Sequence, residues 1–457
     1  MENLDYIQEL GFTCLYLNPV FQAGEYHKYD IVDYFHVDPC MGTDEDFLAL
    51  TEAVHERGMH IINDGVFNHS SWYFPPFDDV VKNGEKSPYT DWFYELSFPV
   101  ERPEEGETPG YACFAYEPKM PKLNTANPEV QKYFAKVGRY WIETFHVDGW
   151  RLDVAADLGH TPEYNHKFWK GFREAVKREN PEAIILAEHY GDPSTWLDGT
   201  QWDTVMNYDA FMEPISWFLT GMEKHSDARR NDLRGNASAF FGSMTDYGAR
   251  FTTPSALVAM NELSNHDHSR FLTRTNHVVG RTAFAGPQAA NYGVNLAVMR
   301  QAVLMQMTWV GAPTIYYGDE AGVCGWTDPD NRRSYPWGKE DHELIRFHKE
   351  MIRIHKDYEV FSTGSLLYLH AENNLIGYGR FNEKEQAFVL VQVEGEEREV
   401  EVDVWRLGVA NGCRMACMMY TCQEGFDMAA RMCRVENGKV KVEIGKNGAV
   451  LWKTLSM

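Results

Sequence analysis

The sequence predicts an α/β chain: a TIM-type (β/α)8 barrel whose first strand is missing, with an insertion after an early strand and a C-terminal antiparallel β-sandwich. Three observations carry this. Short apolar strands alternate with amphipathic helices as far as Ile354, the pattern of parallel βαβ units, and their number favours a closed barrel over an open sheet. Polar residues gather directly after these strands, where a parallel barrel builds its site. Past the last helix the period changes to short alternating strands, as in a sandwich of about a hundred residues. The expected domains are 1–358 for the barrel, with 70–123 inserted, and 359–457 for the sandwich.

The elements follow in order. Leu4, Ile7 and Leu10 keep helical spacing before Gly11, and Thr13 to Leu17 reads as a buried strand followed by a loop from Asn18 to Asp38. Thr43 can cap a helix bearing Phe47, Leu50 and Val54 and ending at Gly58. Met59 to Val66 is the next strand, with Asp64, Asn68 and His69 at its end. From Ser70 to Leu123 no period is visible, a length that marks a functional insertion. Val130 to Phe145 returns to helical spacing, then comes the strand that ends in Arg151-Leu152-Asp153. A helix with Phe168, Phe172 and Val176 precedes the strand Ala183 to Glu188. Further strands are expected at Asp203–Asn207, Ala256–Leu263 and Pro313–Tyr317, and helices at Val298–Met307 and Leu344–Ile354. Phe388–Val393, Val400–Val404 and Val440–Ile444 are strands of the sandwich. With seven barrel strands, those at Leu15 and Ile315 would face a gap, so self-association into a homo-oligomer is expected.

Composition narrows the partner. The chain has 457 residues and a net charge of -24, which argues against nucleic acid or an anionic membrane surface. No basic-then-apolar opening segment and no apolar run of membrane-spanning length is present, so a cytoplasmic protein is expected. The 8 Cys lack disulfide-module or zinc-ribbon spacing and read as reduced thiols. Aromatic residues make up 14% of the chain, a content that suits either core packing or stacking on sugar faces.

Asp153, Glu188 and Asp267 each end a separate expected strand, so a barrel would bring three carboxylates to one pocket. Cleavage of an acetal by double displacement needs one ionised carboxylate as nucleophile and one protonated carboxyl as acid, roughly 5 Å apart. Side chains alternate along a strand, so Arg151 and Asp153 share a face, and the guanidinium suits Asp153 to the first role. Glu188 follows an apolar strand, and burial would raise its pKa, which suits the second.

In these residues the chain resembles the α-amylase family of glycoside hydrolases. Its four motifs occur in order as Asp64-Gly65-Val66-Phe67-Asn68-His69, Gly149-Trp150-Arg151-Leu152-Asp153, Glu188 and Asn265-His266-Asp267. The resemblance implies Asp153 as nucleophile, Glu188 as acid/base and Asp267 as transition-state stabiliser. It implies Arg151, His69 and His266 as contacts to the reacting sugar, and Tyr29, accompanied by His27, as the ring that stacks on it. Met120-Pro121-Lys122-Leu123-Asn124-Thr125 and Asp328-Pro329-Asp330-Asn331-Arg332-Arg333 look most like the cyclomaltodextrinase, neopullulanase and maltogenic amylase group. There Asp328 and Arg332 would grip the glycone end, and Tyr190 stands where the group often has a Trp platform. The implied activity is retaining hydrolysis of α-glucosidic bonds in short or cyclic maltodextrins, with an oligosaccharide as partner. A transglycosylase of the same family and a non-catalytic amylase-fold binding subunit are the alternatives.

No part of residues 1–457 is expected to correspond to the domain that this group carries at its N-terminus. Four residues after the nucleophile, many amylases have a calcium-binding His where this chain has Asp157, so no metal or other cofactor is expected and calcium is left open. A metal-dependent hydrolase would call for a His-x-His pair after an early strand, which the sequence lacks.

Overall fold

The computed structural model describes residues 2–104 and 107–455. The chain forms two compact units, Met1–Met206 and Asn207–Met457, so the expected boundary at 358 falls inside the second.

The first unit is built on a five-stranded parallel sheet. Its strands, in spatial order, are Cys14–Leu17, His60–Gly65, Gly149–Leu152, Ile184–Ala187 and Thr204–Val205. Helices Asp44–Glu56, Pro128–Phe145 and Pro162–Glu179 supply the crossovers that parallel pairing requires. Each begins where the sequence offers an unpaired backbone donor a partner or removes it. Thr43 and Asp46 form a capping box, Asn127 accepts from Glu129 N–H, and Pro128 and Pro162 occupy first-turn positions. Val130, Phe134, Val137, Trp141 and Phe145 bury one stripe of the second of these helices.

Gly149 has no alternative at the foot of its strand. Its φ is 155°, and a Cβ there would lie 2.2 Å from the carbonyl oxygen of Ile184. The close approach sets the register that leaves Asp153 and Glu188 as the next residues on neighbouring strands, after Leu152 opposite Ala187.

Three expectations in this unit need correction. The Cys14–Leu17 strand is exposed to half-buried rather than buried, because it pairs on one side only within its sheet. The Asn18–Asp38 loop contains a hairpin of Phe21–Ala23 and Ile31–Val37 whose turn carries His27 and Tyr29. The insertion holds a helix, Pro75–Asn83, hidden from sequence reading because its first turn is Pro75-Pro76. Bridges His69 to Lys122, Phe93 to Leu123 and Cys113 to Pro121 tie the insertion back to its own root.

In the second unit Met260–Glu262 and Ala312–Thr314 pair in parallel, making seven parallel strands among the described residues. The strand expected at Pro313–Tyr317 is thus shorter, earlier and only half-buried. Of Ala256–Leu263 only the end is strand, since Thr252 accepts from Ser255 N–H and starts a short helix, Thr253–Leu257. Asp203–Asn207 likewise shrinks to Thr204–Val205. Helices Leu296–Thr308 and His342–Asp357 stand where expected.

Residues from Ser365 onward form a seven-stranded antiparallel sheet faced by the Arg398–Val402 and Val440–Ile444 pair. Phe388, Leu390, Val450 and Trp452 from one layer and Val400, Val402, Val442 and Ile444 from the other share one core, which is the sandwich.

Candidate active site

Arg151, fully buried on the Gly149–Leu152 strand, organises the carboxylates of the first unit. Its Nη1 donates to both oxygens of Asp64 at 3.0 Å and to Asp153 Oδ1 at 3.1 Å. Its Nη2 lies 3.1 Å from Glu188 Oε2. That same oxygen accepts the backbone N–H of Val154 at 3.0 Å, so Glu188 is anchored to the residue after Asp153.

Asp64 serves as floor. Tyr16 and Tyr29 donate their hydroxyls to its Oδ2 at 2.7 and 2.8 Å. Burial pushes the Asp64 carboxyl up, while Arg151 and the two hydroxyls pull the other way. Arg151, Tyr16 and Tyr29 all donate to it, the surroundings an ionised carboxylate needs.

Tyr29 is held at both ends, because its backbone N–H donates to His27 Nδ1 at 3.0 Å and its carbonyl meets His69 Nε2 at 3.1 Å. His69 is fully buried, and that burial pulls its imidazole down to about 3, so it is neutral. Phe114 of the insertion stacks on its ring at 4.6 Å and 13°. On the other edge Asn68 Nδ2 meets His69 Nδ1 at 3.2 Å, and Lys122 Nζ donates to Asn68 Oδ1 at 2.7 Å and to the Asp157 carbonyl at 2.6 Å. Tyr190 stands 47% exposed two residues past Glu188.

The second unit assembles the remaining candidate residues around two buried amides. Asn265 Oδ1 accepts the backbone N–H groups of Asp267 and His268, at 3.0 and 3.1 Å, which fixes the turn presenting Asp267. Asn331 Nδ2 donates to the carbonyls of Asn265 and His268, at 3.0 and 2.8 Å. Arg332 Nε bonds the His266 carbonyl at 3.2 Å and Asp328 Oδ1 at 2.7 Å, and His266 Nε2 lies 3.6 Å from Asp267 Oδ2. His266 is buried whereas the Asp267 side chain is 43% exposed.

Of the residues expected in one pocket, the structure brings together Arg151, Asp153 and Glu188 in one unit and His266, Asp267, Asp328 and Arg332 in the other. Sequence reading misses four contributors. Tyr16 is legible only as an alternating strand position, Phe114 lies in a stretch without period, and Lys122 and Asn331 stand inside motifs that give them no role. Among the described residues Glu223, His225 and Asp227 could meet around a metal ion, but Asp227 already pairs with Arg281 and Glu223 with His225.

Residues 1–361 match the family described as alpha amylase, catalytic domain. The chain is similar to a cyclomaltodextrinase of Bacillus sp, 37% identical over 87% of this chain and 65% of that protein. It is similar to neopullulanase 2 of Thermoactinomyces vulgaris, 38% identical over 88% of this chain and 63% of that protein. It therefore spans just under two thirds of the length of either. The native debranching enzyme of Nostoc punctiforme superposes with a TM-score of 0.83 at 31% identity, over 99% of this chain and 87% of that one. With its carboxylates at the ends of parallel strands and the family match running from the first residue to the start of the sandwich, the chain belongs to the α-amylase family.

Proposed function

We propose that this chain hydrolyses α-glucosidic bonds in short or cyclic maltodextrins with retention of anomeric configuration. The observation that carries the reading is the shared guanidinium of Arg151, which holds Asp153 and Glu188 side by side on adjacent strand ends. Asp153 attacks the anomeric carbon while Glu188 gives its proton to the departing glycosidic oxygen; Glu188 then takes a proton from the water that releases the sugar from Asp153. Asp267 stabilises the transition state, and Arg151, His69 and His266 contact the reacting ring. Tyr29 stacks on that ring with His27 behind it, Asp328 and Arg332 grip the glycone end, and Tyr190 meets the leaving group. The printed names of the relatives, a cyclomaltodextrinase and a neopullulanase, support this class of substrate.

No calcium enters this mechanism. A reading without calcium is supported by the Asp157 carbonyl, which accepts from the Lys122 ammonium. A cytoplasmic setting is supported by the eight cysteines, all of which are unpaired. No helix among the described residues is long and apolar enough to cross a membrane. Self-association remains part of the proposal.

The test is Asp153→Asn assayed on maltotriose and a cyclodextrin, with the product anomer followed by NMR. Loss of turnover by about 10⁴-fold or more is expected, since the covalent step has no substitute, along with retention in the unaltered protein. Near-normal activity or inversion would end the assignment.

A further inference from the structure

A neutral imidazole carries one proton on two nitrogens, and its partners decide which. For His69 those partners form a chain leading to a charge. Lys122 Nζ has only donors, so the Asn68 oxygen at 2.7 Å must be the end of the amide that faces it. The amide nitrogen is thereby turned toward His69 Nδ1, at 3.2 Å, and since it too can only donate, Nδ1 is left as the acceptor. The proton then belongs on Nε2, where the Tyr29 carbonyl waits at 3.1 Å. Asn68 and His69 are fully buried, so water cannot substitute for either link. The Asp157 carbonyl, at 2.6 Å, keeps the ammonium in place from the far side.

We propose that Lys122, through Asn68, is a positioning residue that locks His69 in the Nε2–H tautomer. The insertion thereby sets both the proton and the pose of a sugar contact, and at the same stroke holds the Tyr29 backbone that carries the stacking ring. The part of this that concerns the sugar rests on the hydrolase reading above, whereas the tautomer is a property of the free protein.

The experiment reads the two separately. Full-length protein labelled with ¹⁵N in its histidines is examined by long-range ¹H–¹⁵N correlation without substrate, the His69 signals being those lost in His69→Gln. The Nε2–H pattern is expected in the unaltered protein. In Lys122→Met, where the stem is kept and the charge removed, that pattern should give way to a mixture of tautomers. Asn68→Asp provides a second arm that does not depend on how well the first variant folds. A carboxylate accepts from Lys122 and His69 at once, so His69 should acquire a proton on Nδ1. An Nδ1–H tautomer in the unaltered protein, or an unchanged Nε2–H pattern in both variants, would overturn the proposal. If the maltodextrin assays fail while the tautomer switches, the functional reading falls and the relay stands. If both hold, kcat of Lys122→Met should drop by roughly tenfold or more with little change in KM, the mark of lost alignment rather than lost binding.

Discussion

Arg151 Nη1 lies 3.0 Å from both carboxylate oxygens of Asp64, and neither side chain is exposed to solvent. A pair of this kind is expensive to break from one side, because Arg151 would keep only Asp153 and Glu188 to offset its buried charge and the Tyr16 and Tyr29 hydroxyls would lose this acceptor. Asp64→Leu should destabilise the protein by about 3–5 kcal/mol and lower activity through misplacement of Arg151. Urea unfolding of the variant measures the first effect; a change below about 1 kcal/mol would show that the pair contributes little.

Glu188→Gln keeps the shape and the bond from Val154 N–H but removes the proton. Turnover of maltotriose should fall about 10²- to 10⁴-fold. A substrate with an activated aryl leaving group needs no acid for the first step, so its glycosylation should be far less affected. Equal losses on both substrates, read from pre-steady-state bursts, would remove Glu188 from the acid role.

Acid sensitivity follows from His69. Its imidazole sits at about 3 in the folded protein against an ordinary 6.5. Below 6.5 the unfolded chain takes up a proton that the folded one refuses, so stability drops as pH falls through the window from 6.5 to 3. From pH 7 to pH 5 this one group should cost about 2 kcal/mol. Denaturant midpoints at both values for the unaltered protein and His69→Gln provide the check, with the pH dependence shallower in the variant.

Asn331→Ala removes the donor from two buried carbonyls, those of Asn265 and His268. Leaving them unpaired should cost about 1–3 kcal/mol. The turn bearing Asp267 should loosen with it, so that kcat falls more than KM rises. A loss confined to KM would place Asn331 in binding alone.

Much of the fold was legible because periodicity reports burial. Phe134, Val137 and Trp141 repeat at helical spacing and bury together, and the Ile184–Ala187 strand is apolar because both faces are covered. Proline and short elements hid the rest. Pro75-Pro76 looks like a loop yet opens a helix, and the three-residue strands Met260–Glu262 and Ala312–Thr314 are too short to display a period. Asp153 and Glu188 could be read because each follows its strand directly. Lys122 could not be assigned a partner, since Asn68 and Asp157 lie 54 and 35 positions away and only folding brings them into reach.

The parallel sheet of the first unit also makes biosynthesis a waiting problem. Asn63 pairs with Trp150, 87 positions later, so on a ribosome elongating at ~5–20 residues per second its strand emerges roughly 4–17 s before its partner. Ile61 and Ile62, buried once the sheet closes, have only the earlier Cys14–Leu17 strand to pair with during that interval, so the edge that will take Trp150 stays open. Slowing translation lengthens the exposure, and cooling the culture weakens the apolar attraction that makes it hazardous. Yield of native protein should therefore respond more to temperature and to chaperones acting on the emerging chain than to any change at Asp153 or Glu188.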